Sequence, residues 1–310
     1  MNARVAFLFP GQGSQVVGMG KELCERFGAA REVFALADAV LGVPLSRLCF
    51  EGPAAELTLT ANTQPALLTV SWALTRVLSE ELGLQPSCAA GHSLGEFSAW
   101  VAAGALSFAD ALLVVRERGR AMQDAVAPGV GSMAAIIGLD LDAVDAVCRQ
   151  AADGEVVSPA NLNGGQQVVI AGHRNAVARA SALATERGAR SVVPLAVSAP
   201  FHCALMAPAA ERLRSVLEPV AVAAPRYPVV TNVEAQPCTD PGRVKDLLVR
   251  QVINPVRWQE CVETLVRLGC TAAVEVGPGR VLSGLVRRIT RDFRCVPGED
   301  LDAVRQLVGQ

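Results

Sequence analysis

The sequence predicts an α/β protein: a largely parallel sheet wrapped by helices, interrupted by a smaller βαββαβ unit. Short apolar runs alternate with helical patterns of about 10–15 residues, the rhythm of parallel strands joined by helical crossovers. Hydrophobic residues make up 51% of the 310, aromatics only 4%, and there are 27 Gly, so packing rests on Ala, Val and Leu, as where helices lie close on a sheet. At about 150 residues per domain the length allows roughly two domains.

The elements follow in order. Val5 to Phe9 is an apolar run that ends at Pro10-Gly11, a buried strand entering a tight loop. A long helix follows Thr63, with Pro65 in its first turn, apolar residues from Leu67 to Leu82 at helical spacing, and Gly83 as its stop. Ser87 to Gly91 leads into Gly91-His-Ser-Leu-Gly95, and a second helix comes after it. Ser107 opens a third, with Asp110 three residues on as a variant capping box; it carries Arg116, Arg118 and Arg120. From Pro128-Gly129 the rhythm changes. Met133 to Gly138, Glu155 to Ala160, Gln167 to Ala171 and Arg190 to Val197 read as strands, and Asp140 to Ala152 and Asn175 to Gly188 as helices. This is the ferredoxin-like order in about 70 residues, a unit able to bury its own sheet face and therefore expected as an inserted subdomain. Beyond it are helices from Cys203 to Leu217, Lys245 to Val252, Trp258 to Leu268 and Arg280 to Thr290, with strands near Val229 and from Ala272 to Val276.

Composition excludes several functions. Lys+Arg of 28 against Asp+Glu of 30 leaves a net charge of -2 and no basic stripe, so nucleic acid is not an expected partner. Nine scattered Cys with no CxxC pair argue against a disulfide framework or a structural zinc site. Val5 to Phe9 is too short for a signal-peptide core of about 7–15 residues, and no stretch of about 20 residues reads as a membrane span. A cytoplasmic protein without a membrane partner or a metal is expected.

The chemistry centres on Gly91-His92-Ser93-Leu94-Gly95, which fits G-x-S-x-G between a strand and a helix, the context that holds a serine exposed on a strained turn. A serine hydroxyl needs an adjacent base, and the chain has three His. His92 precedes the serine and is better placed to support the turn, and His173 lies in a polar surface turn. His202, in Ser198-Ala-Pro-Phe-His202, is left by elimination. No acidic residue stands out as a third member, so a Ser-His dyad oriented by an amide or carbonyl is the simpler expectation. The glycine-rich loop from Pro10 to Gln15 is suited to offer donors. If it faces the turn, the Gln12 side chain or a backbone N–H joins the N–H of Leu94 as an oxyanion hole.

Six motifs stand in order: Phe9-Pro-Gly-Gln-Gly-Ser-Gln15, Gly91-His-Ser-Leu-Gly-Glu96, Arg118-Gly119, Ser198-Ala-Pro-Phe-His202, Gln251-Val-Ile-Asn-Pro-Val256 and Glu275-Val-Gly-Pro-Gly279. Together, from Ala6 to Arg288, they resemble the malonyl-CoA:acyl-carrier-protein transacylases of fatty acid synthesis and the related acyltransferase domains of polyketide synthases. The resemblance implies an α/β-hydrolase-like core formed by 1–128 and 198–310, with the ferredoxin-like subdomain as 129–197. It implies Ser93 as the acylated nucleophile, His202 as base, Gln12 and the Leu94 N–H as oxyanion hole, and Gln251 as the source of an oxygen that orients the His202 ring. Arg118 then binds the malonyl carboxylate, which a planar guanidinium matches bidentately; read without the resemblance, it is one of three solvated helix charges. Asn161 and Asn163 resemble a segment facing the cleft, with backbone capping an equal alternative. Phe201 resembles the malonyl-selecting pattern, where a bulky ring crowds an α-methyl group, a discrimination of about 1–3 kcal/mol.

The implied reaction moves malonyl from coenzyme A to Ser93 and then to the phosphopantetheine thiol of an acyl carrier protein. Malonyl-CoA and the carrier are the expected partners, no cofactor is involved, and a monomer is expected. A polyketide-synthase loader and a malonate-decarboxylase transacylase share the same residues. A serine hydrolase or thioesterase is the nearest different class, and Arg118 discriminates, because a hydrolase of neutral acyl groups has no use for a fixed cation opposite its nucleophile. A dead scaffold is disfavoured by the complete constellation.

Overall fold

The computed structural model describes residues 4–197 and 199–309. Residues 1–3 and Ser198, the first residue of the motif that ends at His202, lie outside the described residues. Strand β1 (Val5–Phe9) is followed by α1 (Lys21–Arg26), α2 (Gly28–Leu41), α3 (Leu45–Glu51), α4 (Ala54–Thr58) and α5 (Thr60–Leu82). Then come β2 (Cys88–Gly91), α6 (Leu94–Ala102) and α7 (Phe108–Asp124). The second unit is β3 (Gly131–Ile137), α8 (Leu141–Ala151), β4 (Val157–Gly164), β5 (Gln167–His173), α9 (Arg174–Glu186) and β6 (Ser191–Pro194). A 3-10 turn (Ala204–Met206) leads into α10 (Ala207–Leu217), the hairpin β7 (Val229–Val230) and β8 (Pro237–Cys238), α11 (Pro241–Gln251) and α12 (Trp258–Arg267). The chain closes with β9 (Ala272–Glu275), α13 (Val281–Ile289), β10 (Arg294–Pro297) and α14 (Leu301–Val308).

The larger sheet has the order β10-β9-β1-β2-β7-β8 and is parallel except at the β7–β8 hairpin. Helices cover both faces, so β1 and β2 are buried at every position and read as continuous apolar runs, not alternating ones. α5 packs against α2, α6 and α7 and is buried along most of its length. Because β1 and β2 are parallel neighbours, their carboxyl ends lie side by side, the place where open α/β sheets gather their chemistry.

The smaller sheet has the order β4-β5-β3-β6 and is antiparallel throughout. Ala134, Ile136 and Ile170 on one face pack with Val144, Val147 and Val177 of α8 and α9, while Met133, Ala135 and Val169 on the other face join the main core. The sheet is also stitched to the segment before α12: Val256 donates its N–H to Ala160 O at 2.9 Å and accepts from Leu162 N–H at 2.8 Å.

One sequence expectation is corrected, and several elements went unread. α5 starts at Thr60, so Pro65 sits in its second turn. Leu59 begins the helix, accepting from the N–H groups of Asn62 and Thr63, and supplies no side-chain cap that the sequence could display. Helices α1 to α4, which the sequence reading left unassigned, fill the space between the first loop and α5. The hairpin partner β8 and the terminal β10 and α14 also went unread.

Candidate active site

β2 ends at Gly91 and α6 starts at Leu94, which leaves His92 and Ser93 to reverse the chain. Ser93 takes φ 52° and ψ −107°, a state that costs about 1–3 kcal/mol and persists only where its surroundings hold it. The flanking glycines are steric necessities. A Cβ on Gly91 would lie 1.9 Å from the carbonyl of Gly95, and one on Gly95 would lie 1.9 Å from Phe9 O. The turn is clamped by Asn232, whose Oδ1 accepts from the Ser93 N–H at 2.8 Å and whose Nδ2 donates to Gly91 O at 2.7 Å.

The turn presents Ser93 Oγ 2.7 Å from His202 Nε2. His202 Nδ1 lies 2.8 Å from the main-chain oxygen of Gln251. A carbonyl can only accept, so Nδ1 carries the proton and Nε2 is left to accept from the serine hydroxyl. Burial first, and then the charge of Arg118, hold the His202 imidazole down to about 3, with the Gln251 and Asn254 backbone pulling the other way. The ring is thus neutral, the form a general base requires. The oxygen expected from Gln251 is therefore main-chain, while its side chain serves other partners. Its Oε1 accepts from Arg118, and its Nε2 reaches Ser93 O at 3.0 Å, Glu96 Oε2 at 2.8 Å and Asn232 Oδ1 at 3.1 Å.

Arg118 is only 2% exposed, not a solvated helix charge. Its neighbours in the sequence pattern behave differently: Arg116 is half-buried and donates to Leu41 O, and Arg120 is exposed. Gly119 explains the inward turn. A Cβ there would meet Thr60 O at 2.6 Å, so glycine lets α7 lie directly on the start of α5 and close over the guanidinium. Nη1 donates to Gln64 Oε1 at 2.9 Å; Nη2 donates to Gln251 Oε1 at 2.9 Å and to Ser93 Oγ at 3.1 Å. The Phe97 ring lies 5.4 Å away. Burial lowers the guanidinium to about 10, and Glu96 opposes that shift, so a full positive charge stands against the Ser93 hydroxyl.

Asn161, Asn163, Gln12 and His92 line a cleft of about 380 Å³ between the smaller sheet, the first loop and α13. Asn163 Oδ1 meets His92 Nε2 at 2.9 Å, which fixes His92 as a support of the turn. Gln12 points its Nε2 at Thr60 Oγ1, 3.3 Å away, on the wall of this cleft. Leu94 is the first residue of α6, so its N–H is a first-turn amide without an intrahelical acceptor, at the positive end of the helix dipole. Phe201 is buried in the main core one residue before His202. His173 lies outside the site, half-buried at the end of β5, where Nδ1 accepts from Val156 N–H. Among the described residues no three His, Cys, Asp or Glu side chains are arranged to hold a metal ion, and no helix is long and apolar enough to cross a membrane.

Sequence reasoning missed three side chains. Asn232 clamps the turn, and Gln64 holds Arg118. Glu96, fully buried on α6, accepts from Asn232 N–H at 2.9 Å and from Gln251. Glu96 alone left a signal: it is the only charged residue in a helix otherwise made of Leu, Gly, Phe, Ser, Ala, Trp and Val. The arrangement pairs a serine hydroxyl with a neutral imidazole and sets a buried cation 3.1 Å from its oxygen, features suited to moving an acyl group that carries its own negative charge.

Residues 6–304 match the acyl transferase domain family. The malonyl CoA-acyl carrier protein transacylase of Bacillus subtilis (strain 168) is 48% identical over 307 residues, 99% of this chain and 96% of that protein. An acyl carrier protein S-malonyltransferase from Vibrio cholerae superposes with a TM-score of 0.95 at 48% identity, covering 97% of this chain and 100% of that one. A malonyl-transacylase solved in complex with its type II PKS acyl-carrier protein superposes with a TM-score of 0.96 at 45% identity, covering 99% of each chain.

Proposed function

The chain belongs to the malonyl CoA-acyl carrier protein transacylases of the acyl transferase family, and on that premise we propose that Ser93 is the atom-level carrier of the malonyl group between two thiols. Ser93 Oγ passes its proton to His202 Nε2 and attacks the thioester carbonyl of malonyl-CoA. The oxyanion is met by the Leu94 N–H and Gln12, the C–S bond breaks, and the departing thiolate takes the proton from His202. A malonyl ester on Ser93 results. The phosphopantetheine thiol of the carrier then gives its proton to His202 and attacks this ester; Ser93 Oγ recovers the proton as it leaves. Protein side chains and main-chain groups supply every step, and neither a metal nor a redox group is called on.

The observation that carries this is the buried Arg118 guanidinium at 3.1 Å from Ser93 Oγ. A malonyl chain esterified there puts its carboxylate within reach of that fork, and a charge-assisted pair contributes about 1.5–3 kcal/mol. For a hydrolase of neutral acyl groups the same buried charge would be pure cost. Asn161 and Phe201 are assigned to the walls of the acyl site. The insert 129–197 is read as ferredoxin-like on an α/β-hydrolase-like core of 1–128 and 198–310, supported by its strand order and by a core of its own. A cytoplasmic setting is supported by nine cysteines that are all free thiols. Since a structural relative holds a type II PKS carrier, carriers of fatty acid and polyketide synthesis both belong in the test.

Intact-protein mass spectrometry after mixing with malonyl-CoA is that test. One malonyl mass should appear on the wild type, leave on addition of holo carrier protein, and be absent from Ser93→Ala. An adduct that persists in Ser93→Ala, or that carrier cannot remove, overturns the assignment.

A further inference from the structure

Glu96 plays no part in the steps above, yet it is fully buried, its carboxylate met by Asn232 N–H and Gln251 and flanked by the Trp100 indole. Its Oε2 accepts from Gln251 Nε2 at 2.8 Å, the shortest of the three contacts that this NH₂ group makes. On the far side of the same amide, Gln251 Oε1 accepts from Arg118 Nη2 at 2.9 Å. The amide cannot flip, because a flip would turn its oxygen to a carboxylate and its NH₂ to a guanidinium. One rigid, polarised amide therefore separates a buried anion from a buried cation.

We propose that Glu96 is the built-in counter-ion of Arg118, a positioning residue acting through the Gln251 amide, and that its charge sets how far the site prefers a carboxylate-bearing acyl group over a neutral one. The proposal rests on the reading that Arg118 receives the malonyl carboxylate. With the site empty, Glu96 offsets the guanidinium; once malonyl arrives, two anions share one cation and repel each other across a poorly screened interior. Neutralising Glu96 leaves Arg118 unopposed and strengthens its hold on malonyl, while an acetyl group has no charge to respond. Two like charges separated by both the amide and the guanidinium, about 10 Å, correspond at the effective screening of protein interiors to roughly a tenfold effect.

Other titratable groups around Glu96 do not compete for this role. Arg118 of α7 is the charged group that acts on it, and Cys261 of α12 is the neighbouring thiol, itself held neutral by burial. Of the elements packed on α6, β1 and β7 carry no titratable side chain and β2 only Cys88. The charges of α5 (Arg76, Glu80 and Glu81) lie in its last turns. His92 and His202 flank the nucleophile and are both held towards the neutral form by burial. Burial pushes the Glu96 carboxyl up to about 7, so its charge is adjustable at ordinary pH.

The test compares kcat/KM for malonyl-CoA and acetyl-CoA in wild type, Glu96→Gln, Arg118→Ala and the double variant, a double-mutant cycle. Glutamine keeps an oxygen for the Asn232 and Gln251 donors and removes only the charge. The malonyl:acetyl ratio should rise about tenfold in Glu96→Gln through a lower malonyl KM, and that rise should vanish in the Arg118→Ala background. If both substrates change by one factor, or the rise survives without Arg118, Glu96 is a structural acceptor and the proposal fails. If Arg118→Ala alone leaves the ratio unchanged, it is the malonyl role of Arg118 that fails instead. Should Glu96→Gln not fold, the wild type answers alone: the ratio should climb as the pH is lowered through about 7, the coenzyme A moiety being common to both substrates. A flat ratio overturns the proposal.

Discussion

Asn232→Ala removes one side chain that touches no substrate and should nonetheless slow the first half-reaction. The loss comprises the 2.8 Å acceptor for Ser93 N–H and the 2.7 Å donor to Gly91 O, both closing the turn that carries Ser93, together with one acceptor of the Gln251 amide at 3.1 Å. Leaving these two backbone groups unpaired costs about 1–3 kcal/mol each. Part is returned as Ser93 relaxes from φ 52°, a state of about 1–3 kcal/mol, so the net destabilisation should be roughly 1–3 kcal/mol. The kinetic effect follows from the relaxation itself. Ser93 Oγ is held 2.7 Å from His202 Nε2 only in the strained state, and a displacement of about 1 Å from an attack geometry costs on the order of a hundredfold. Rapid-quench mass spectrometry of the malonyl-enzyme measures the rate, and urea unfolding measures the stability. Asn232→Asp should be worse still, since it keeps the acceptor for Ser93 but places a second carboxylate beside Glu96. A folded Asn232→Ala that acylates at the wild-type rate would refute the idea that the clamp holds the nucleophile in place.

Gly91→Ala should fail more severely, because its Cβ at 1.9 Å from the Gly95 carbonyl leaves no room for local relaxation; recovery of soluble, wild-type-stable protein would contradict the geometry. Acidification should weaken the fold through His202. Its folded value, about 3, lies below the ordinary 6.5, so the unfolded chain takes the proton first, and the contribution, whole above about 6.5, is lost as the pH falls toward 3. About 4–5 kcal/mol is at stake. Glu96, raised from 4.5 to about 7, works in the opposite sense, its cost relieved as the pH falls through that interval. Urea midpoints of wild type and His202→Asn across this range should therefore diverge on the acid side, and parallel curves would show an ordinary, solvated imidazole. Finally, Arg287, Arg288 and Arg291 are exposed at the end of α13, whose Val281, Leu282 and Leu285 line the cleft. Reversing these charges should raise the KM for an acidic carrier protein at low salt, and an unchanged KM removes them from the docking face.

What the sequence disclosed was local. Ser93 lay in a motif whose strand–turn–helix setting could be read from a dozen residues, and His202 was one of only three histidines. Two helices with a polar cap were located closely, Ser107 accepting from Asp110 N–H and Asp140 from Ala143 N–H, whereas α11 and α14, capped by Asp240 and Asp300, were placed late or left unread. Helices α1 to α4 have no side-chain cap bonds and begin at glycine, phenylalanine or proline, so no residue flagged them. Arg118 could be separated from Arg116 and Arg120 only through the Arg118-Gly119 resemblance, since its burial depends on how closely two helices approach. Asn232 reaches Ser93 across 139 positions of chain, and Gln251 holds His202 with a main-chain oxygen that any residue possesses. Contacts of those two kinds have no one-dimensional signature.

The pair of main-chain bonds between Val256 and the residues flanking Asn161 has a mechanical meaning. Only five positions separate Val256 from Gln251, which grips the imidazole with its backbone and the guanidinium with its side chain. The smaller sheet is thus not a lid hung freely over the cleft. Any push on it must either tear two hydrogen bonds or be handed along a short tether to the residue that touches both His202 and Arg118. The tether turns the insert into a stiff lever whose short arm ends at the chemistry.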